Sequence, residues 1–84
     1  MEQLKQSIRT YITENFLFGD DSGLDDAASL LDNGVIDSTG VLELVAFLEK
    51  QFAVKINDEE LLPENLDSIT NVAAFLSRKG VGGA

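Results

Sequence analysis

Chemistry in this chain has to be built from a short list of side chains. The 84 residues include no cysteine and no histidine. That removes disulfides, thiolate metal sites, the commonest general acid/base and the usual nucleophile-base pairs. Acids and hydroxyls remain, and one hydroxyl stands apart. In Gly34-Val35-Ile36-Asp37-Ser38-Thr39-Gly40-Val41-Leu42-Glu43-Leu44, Ser38 follows an acid and opens a strongly apolar segment. A serine at a helix start is exposed and addressable. Asp67-Ser68 repeats the dipeptide in a setting that reads as an ordinary helix cap. Only Ser38 also has a glycine four residues before it, Glu43-Leu44 after it and a long acidic loop upstream. A catalytic role for Ser38 needs an activating base, and with no histidine only Lys, Asp or Glu could serve, so the chain reads as a non-enzyme.

Calcium is the first ion that Asp20-Asp21-Ser22-Gly23-Leu24-Asp25-Asp26 suggests, but the EF-hand spacing fails. Counting from Asp20 puts Leu24 at a ligand position, Asp25 at the turn glycine and Leu31 at the bidentate glutamate; counting from Asp21 puts Gly23 at a ligand position. No metal site is expected, and no glycine-rich phosphate loop is present.

The elements that must position Ser38 follow from periodicity. Leu4, Ile8, Tyr11, Ile12 and Phe16 mark one face of a first helix over residues 2 to 17. Gly19 and the polar run to Gly23 end it. A long connection to Asp37 follows, within which Leu24, Ala27, Ala28 and Leu31 predict a turn or two of helix, and Leu30, Val35 and Ile36 offer anchors. The second helix starts at Asp37-Ser38, which can cap it, and runs to Phe52. It is apolar on more than one face. Ala53-Val54-Lys55-Ile56 has no partner strand and reads as a connector. Asp58 to Leu62 reads as one helical turn closed by Pro63, and a last helix runs from an Asp67-Ser68 cap to Lys79, with Gly80 ending it. The expectation is an all-α fold: a small four-helix bundle of three main helices plus one short helix, with a long loop between helices one and two. Its core is expected to contain Leu4, Ile8, Ile12, Leu44, Val45, Leu48, Val72 and Leu76. One domain of residues 1 to 80 and a flexible tail of 81 to 84 complete the organisation.

Charge narrows the partners. Fifteen acids against six bases give a net charge of −9, which repels nucleic acid and anionic membranes and favours basic proteins. The acidity is regional: Asp20 to Asp67 holds thirteen acids and two bases, residues 1 to 19 are neutral, and residues 68 to 84 carry +2. A 44% hydrophobic fraction argues against a disordered acidic tail. No apolar run could span a bilayer, and the polar Met1-Glu2-Gln3-Leu4-Lys5 start has no signal-peptide character, so a soluble, monomeric, cytoplasmic domain without membrane insertion is expected.

The segment around Ser38 resembles the acyl carrier protein family, also called phosphopantetheine-binding or thiolation domains, whose motif centres on Gly-x-Asp-Ser-Leu with a following Glu-Leu. The likeness covers almost the whole chain. It takes in helix one, the long loop, the serine-initiated helix closed by Phe52, the short acidic helix and Asn65-Leu66-Asp67-Ser68-Ile69 leading into the last helix. The resemblance implies that Ser38 bears a 4′-phosphopantetheine arm, taken from coenzyme A by a phosphopantetheinyl transferase, whose thiol holds cargo as a thioester. It implies that Asp37 helps hold magnesium while the transferase acts. It also implies that Thr39, Gly40, Val41, Glu43, Ala46 and Glu49 face partners: an acyl- or aminoacyl-loading enzyme and a downstream synthase or transferase with basic docking surfaces. Glu43 and Glu49 would meet their Arg and Lys. The chain departs from the family pattern at Thr39, where leucine is usual, and at Gly40, where fatty-acid carriers often have an acid. These departures and the stretch Val54 to Leu66 are more similar to stand-alone carriers of specialised pathways. Fatty acyl, polyketide, nonribosomal aminoacyl and D-alanyl cargo all stay open. The rival from the residues alone is an acidic helical adaptor with no prosthetic group, in which Ser38 only caps a helix.

Overall fold

Three segments carry apolar residues at helical spacing, and each becomes a helix with that stripe turned inward. The computed structural model describes residues 2–20 and 24–81. In chain order it contains α1 (Glu2–Phe16), α2 (Ser38–Phe52), a 3₁₀ turn (Asp58–Glu60), α3 (Pro63–Leu66) and α4 (Ile69–Arg78). No strand occurs among the described residues. The all-α architecture matches expectation: three main helices, a short one, and a long connection between the first two. No helix among the described residues is long and apolar enough to cross a membrane.

The core is made by Leu4, Ile8 and Ile12 of α1, Leu44 and Leu48 of α2, and Ile69, Val72, Ala73, Phe75 and Leu76 of α4. Burying each large aliphatic side chain stabilises by about 1.5–3 kcal/mol before the cost of ordering the chain is subtracted. Val45, expected inside, is half-buried and packs against the core from its edge. Helix α4 packs on both α1 and α3. Helices α1 and α2 run antiparallel. Tyr11 stacks on Phe47 with ring centroids 4.0 Å apart, while Phe16, further along α1, lies beside Gly40, earlier in α2. The end of α1 therefore adjoins the start of α2.

Residues 24–37 of the long connection are held in place without a helix. Where Leu24, Ala27, Ala28 and Leu31 predict helical turns, the chain forms hydrogen-bonded turns instead. Asp25 Oδ1 accepts the Ala27 N–H at 3.0 Å, a local side-chain bond that competes with helix. Leu24, Leu30 and Ile36 are buried, whereas Leu31 is 38% exposed. Asp67, just before α4, is the anchor. Its carbonyl accepts the Leu30 N–H at 2.6 Å, and its carboxylate accepts the Ser29 hydroxyl at 2.5 Å and the Leu31 N–H at 2.9 Å. Arg9 reaches over from α1 to the Asp26 carboxylate and to the Leu24 carbonyl.

Pro63 does not close the preceding turn. It opens α3 as its first residue, where a missing N–H costs nothing and φ is already helical. Val81, assigned to the tail by sequence, is half-buried against the core and donates its N–H to the Leu76 carbonyl at 3.0 Å. The rest of that expected tail, residues 82–84, lies outside the described residues, as do 21–23 of the acidic loop.

Candidate functional site

Asp37-Ser38 and Asp67-Ser68 are the same dipeptide placed one residue out of register. Ser68 is the N-cap of α4; it is 4% exposed, and its Oγ accepts the Asn71 N–H at 3.0 Å. At α2 the aspartate takes that duty. Asp37 has extended backbone (φ −107°, ψ −177°), and its Oδ1 accepts the Gly40 N–H at 2.7 Å. Ser38 becomes the first helical residue and is exposed. Its hydroxyl takes no part in the side-chain hydrogen bonds among the described residues. The sequence treats Asp37-Ser38 as a capping pair; in the fold the carboxylate caps, and the serine hydroxyl is left over.

The backbone around that hydroxyl is anion-friendly. The Ser38 and Thr39 N–H groups sit in the first turn and have no intrahelical acceptor. They stand at the positive end of a helix of 15 residues. Asp37 contributes a negative charge to the same spot, and its carboxylate is exposed to solvent.

The other residues singled out from sequence fall into different environments. Thr39, Glu43 and Ala46 are exposed. Glu43 lies near enough to the α1–α2 seam that its charge, after burial beside Phe47 and Phe16, helps raise the Tyr11 hydroxyl above its ordinary pKa of 10.0. Val41 is half-buried and lines a cleft of about 90 Å³ with Leu31, Leu61, Leu62, Pro63, Leu66 and Asp67. Glu49 is half-buried, and its Oε2 accepts the Ile56 N–H at 2.9 Å, tying the connector back to α2. Gly40 differs from its neighbours. It is buried, and a Cβ there would stand 2.6 Å from Ile36 Cγ1 and 3.0 Å from Phe16 Cε1. It lets the two helix ends approach.

Leu42, apolar but absent from the expected core, is 59% exposed. Its spacing of four from Ser38 and four from Ala46 was the available signal, because residues four apart share a helix face.

A sequence model of the family described as “Phosphopantetheine attachment site” matches residues 6–76. The chain is 29% identical over 75 residues, covering 89% of it and 86% of the relative, to the probable acyl carrier protein PigG of a Serratia species. It is 27% identical over 78 residues, 93% of each chain, to the acyl carrier protein of Thermotoga maritima. Over a shorter stretch of 53 residues, 63% of this chain and 65% of the relative, it is 38% identical to the acyl carrier protein of Bdellovibrio bacteriovorus. The family match begins inside α1 and ends inside α4, so it spans the whole helical frame around Ser38, and the chain belongs to the phosphopantetheine-attachment family as a non-catalytic acyl carrier with a 4′-phosphopantetheine prosthetic group.

Proposed function

We propose that Ser38 is the attachment residue and that the protein passes acyl or aminoacyl groups between the enzymes of a specialised biosynthetic pathway. One observation carries this reading: of two Asp-Ser pairs at helix starts, one spends its serine on capping and buries it, and the other keeps its serine exposed and unbonded. The residues present fit the group. An exposed hydroxyl accepts the phosphopantetheinyl unit of coenzyme A, and the first-turn amides of α2 lie where a phosphodiester charge is favoured. Asp37 keeps the helix start in shape through Gly40. Its solvent-facing carboxylate suits a magnesium ion held jointly with the transferase. The prosthetic arm supplies the terminal thiol for the thioester, so a chain without cysteine carries cargo with no competing thiol of its own.

Members of this family work with a phosphopantetheinyl transferase and with biosynthetic enzymes. For this chain the docking face is the outward side of α2, with Thr39, Leu42 and Ala46 exposed beside Ser38, Glu43 on one flank and Val41 and Glu49 at the edges. An acidic face of this kind suits loading and downstream enzymes with Arg- or Lys-rich surfaces. Thr39 and Gly40, departing from the fatty-acid pattern, support the specialised pathway. The reading is completed by a monomer working in the cytoplasm, with residues 1 to 80 as the carrier domain.

The test is intact mass after incubation with coenzyme A and a promiscuous phosphopantetheinyl transferase, alongside Ser38→Ala. A gain of one phosphopantetheine group on the unaltered protein alone is expected. No gain under conditions that load a control carrier, or equal gain on Ser38→Ala, would remove Ser38 from this role.

A further inference from the structure

Phe18 is out of place by every local criterion. Of the five phenylalanines in the chain, Phe75 is buried, and Phe16, Phe47 and Phe52 pack against the core. Phe18 is 96% exposed. It also holds a left-handed backbone at φ 55°, which bulky side chains rarely adopt and glycine takes freely. The geometry is imposed by the end of α1. The Thr13 carbonyl accepts the N–H of both Leu17 (3.3 Å) and Gly19 (2.9 Å), and the chain reverses between them. Neither stability nor solubility favours an aromatic ring there. A residue that violates local preference with no compensating contact inside the fold points to a contact outside it.

Its location says which contact. Phe16 packs beside Gly40, and Gly40 lies two residues past Ser38, so Phe18 emerges at the end of the bundle where Ser38 is exposed. The surrounding stretch from Asp20 to Asp67 has a balance of thirteen acids to two bases, with Asp37 and Glu43 exposed near the ring's end of α2. A second copy of this chain, also at −9, is repelled from that end, and so is an anionic lipid surface. A basic surface with an apolar pocket is not.

Building on the carrier reading, we propose that Phe18 is a docking anchor for the enzyme that loads Ser38: its ring enters an apolar pocket on the phosphopantetheinyl transferase, inside a basic rim that pairs with Asp37 and Glu43. Such a ring is the type of side chain that dominates small interfaces, already rigid and desolvated on contact. The reactive end of the bundle is then gripped at two places, the outer face of α2 and Phe18.

The probe is a promiscuous transferase with coenzyme A, and the readout is loading kinetics with the carrier varied. Phe18→Asn removes the ring while keeping a residue that tolerates the left-handed backbone; Phe18→Trp keeps an aromatic. Phe18→Asn is expected to raise the KM for the carrier about 10- to 30-fold with kcat unchanged, and Phe18→Trp to stay within about threefold of the original. Melting temperatures of both should match the unaltered protein to within a few degrees, since the ring packs on nothing among the described residues. A KM for Phe18→Asn within about twofold of the original would overturn the inference. So would a large fall in its melting temperature, which would make Phe18 a folding residue. Failure of the unaltered protein to load would overturn the carrier reading, and this inference with it, whereas normal loading with an unchanged KM overturns this inference alone.

Discussion

Gly40→Ala sets two sequence-level arguments against each other, and the structure decides the sign. On helix propensity alone, alanine in place of glycine within a helix stabilises by up to about 1 kcal/mol. The added methyl, however, would stand 2.6 Å from Ile36 Cγ1, 3.0 Å from Phe16 Cε1 and 3.3 Å from Asp37 Oδ1. Ile36 Cγ1 is not a free side-chain tip: Ile36 is buried, and its neighbours fix it. Overpacking of this kind costs about 1–3 kcal/mol. Any shift that relieves it also disturbs the bond from the Gly40 N–H to Asp37, a cap worth about 1 kcal/mol. The net expectation is a loss of about 1–2 kcal/mol. In a domain of this size that lowers the melting temperature by at least about 4 °C. Thermal unfolding followed by far-UV circular dichroism measures it. The same substitution in an Ile36→Ala background, where the closest contact is gone, should cost less or become stabilising. A melting temperature that rises on Gly40→Ala alone would refute the claim that Gly40 is there for close approach of α1 to α2, and would return it to the category of a merely weak helix former.

Asp37→Ala is expected to lose the cap and about 0.5–2 kcal/mol of stability, whereas Asp37→Asn keeps an oxygen for the Gly40 N–H and holds its melting temperature; slowed loading by the transferase in the asparagine variant would then report the charge alone. Asp67→Ala removes the acceptor of the Ser29 hydroxyl and the Leu31 N–H, so amide exchange at Leu31 should accelerate, while Leu30, bound to the Asp67 backbone carbonyl, keeps its protection. Glu60 is held below its ordinary pKa of 4.5 by the Asn57 N–H and by Lys79. A depressed folded pKa means that ionised Glu60 stabilises the fold above the unfolded value and that this contribution disappears as pH falls through the lowered one. Melting temperatures of the original and of Glu60→Gln should therefore differ by a constant amount from pH 7 to about 5, with the difference shrinking as pH falls below the unfolded value and through the lowered one.

The parts of the fold that repeat were legible in the sequence. Leu4, Ile8 and Ile12 recur every four residues, and α1 formed on them; the same holds for Leu44 and Leu48 in α2. The parts that depend on single long-range bonds were not. Nothing local to residues 24–36 says that Asp67 will anchor them from more than thirty residues away, so apolar spacing there suggested helix where turns form. Register at helix starts was half legible. Asp-Ser announces a cap, but which of the two caps depends on how the preceding chain enters: over Ile36 and Gly40 at α2, and through an Asp67 already committed to the loop at α4. Exposure of Phe18 was hidden for a similar reason, because an apolar residue just past a helix end reads as core until its packing partners are known.

Glu43 and Glu49 look equivalent in the sequence, both on α2 and both expected to meet a basic partner, and the fold separates them. The cations sit away from Ser38 or are already engaged. Arg9 reaches the Asp26 carboxylate, Lys79 bridges to Glu60 at 2.9 Å, and Arg78 donates to Asn65 at 2.9 Å. Lys5 pairs with Glu2 at the start of α1 at 3.8 Å, and Lys55 follows the far end of α2; Lys50 lies twelve residues along α2 from Ser38, about 18 Å at 1.5 Å per residue and beyond the screening length of about 8 Å at physiological salt. The field at the Ser38 end is therefore set by Asp37 and Glu43, and a basic partner feels it on approach. Glu49 instead accepts the Ile56 N–H, a bond inside the fold. Glu43→Gln should raise the KM for loading and flatten its dependence on salt while leaving the melting temperature unchanged. Glu49→Ala should do the reverse, lowering stability by about 1 kcal/mol with the salt dependence of loading retained. Equal salt slopes for Glu43→Gln and the original protein would show that the field at this end does not steer the partner, and would leave the exposed Leu42 and Phe18 as the whole basis of recognition.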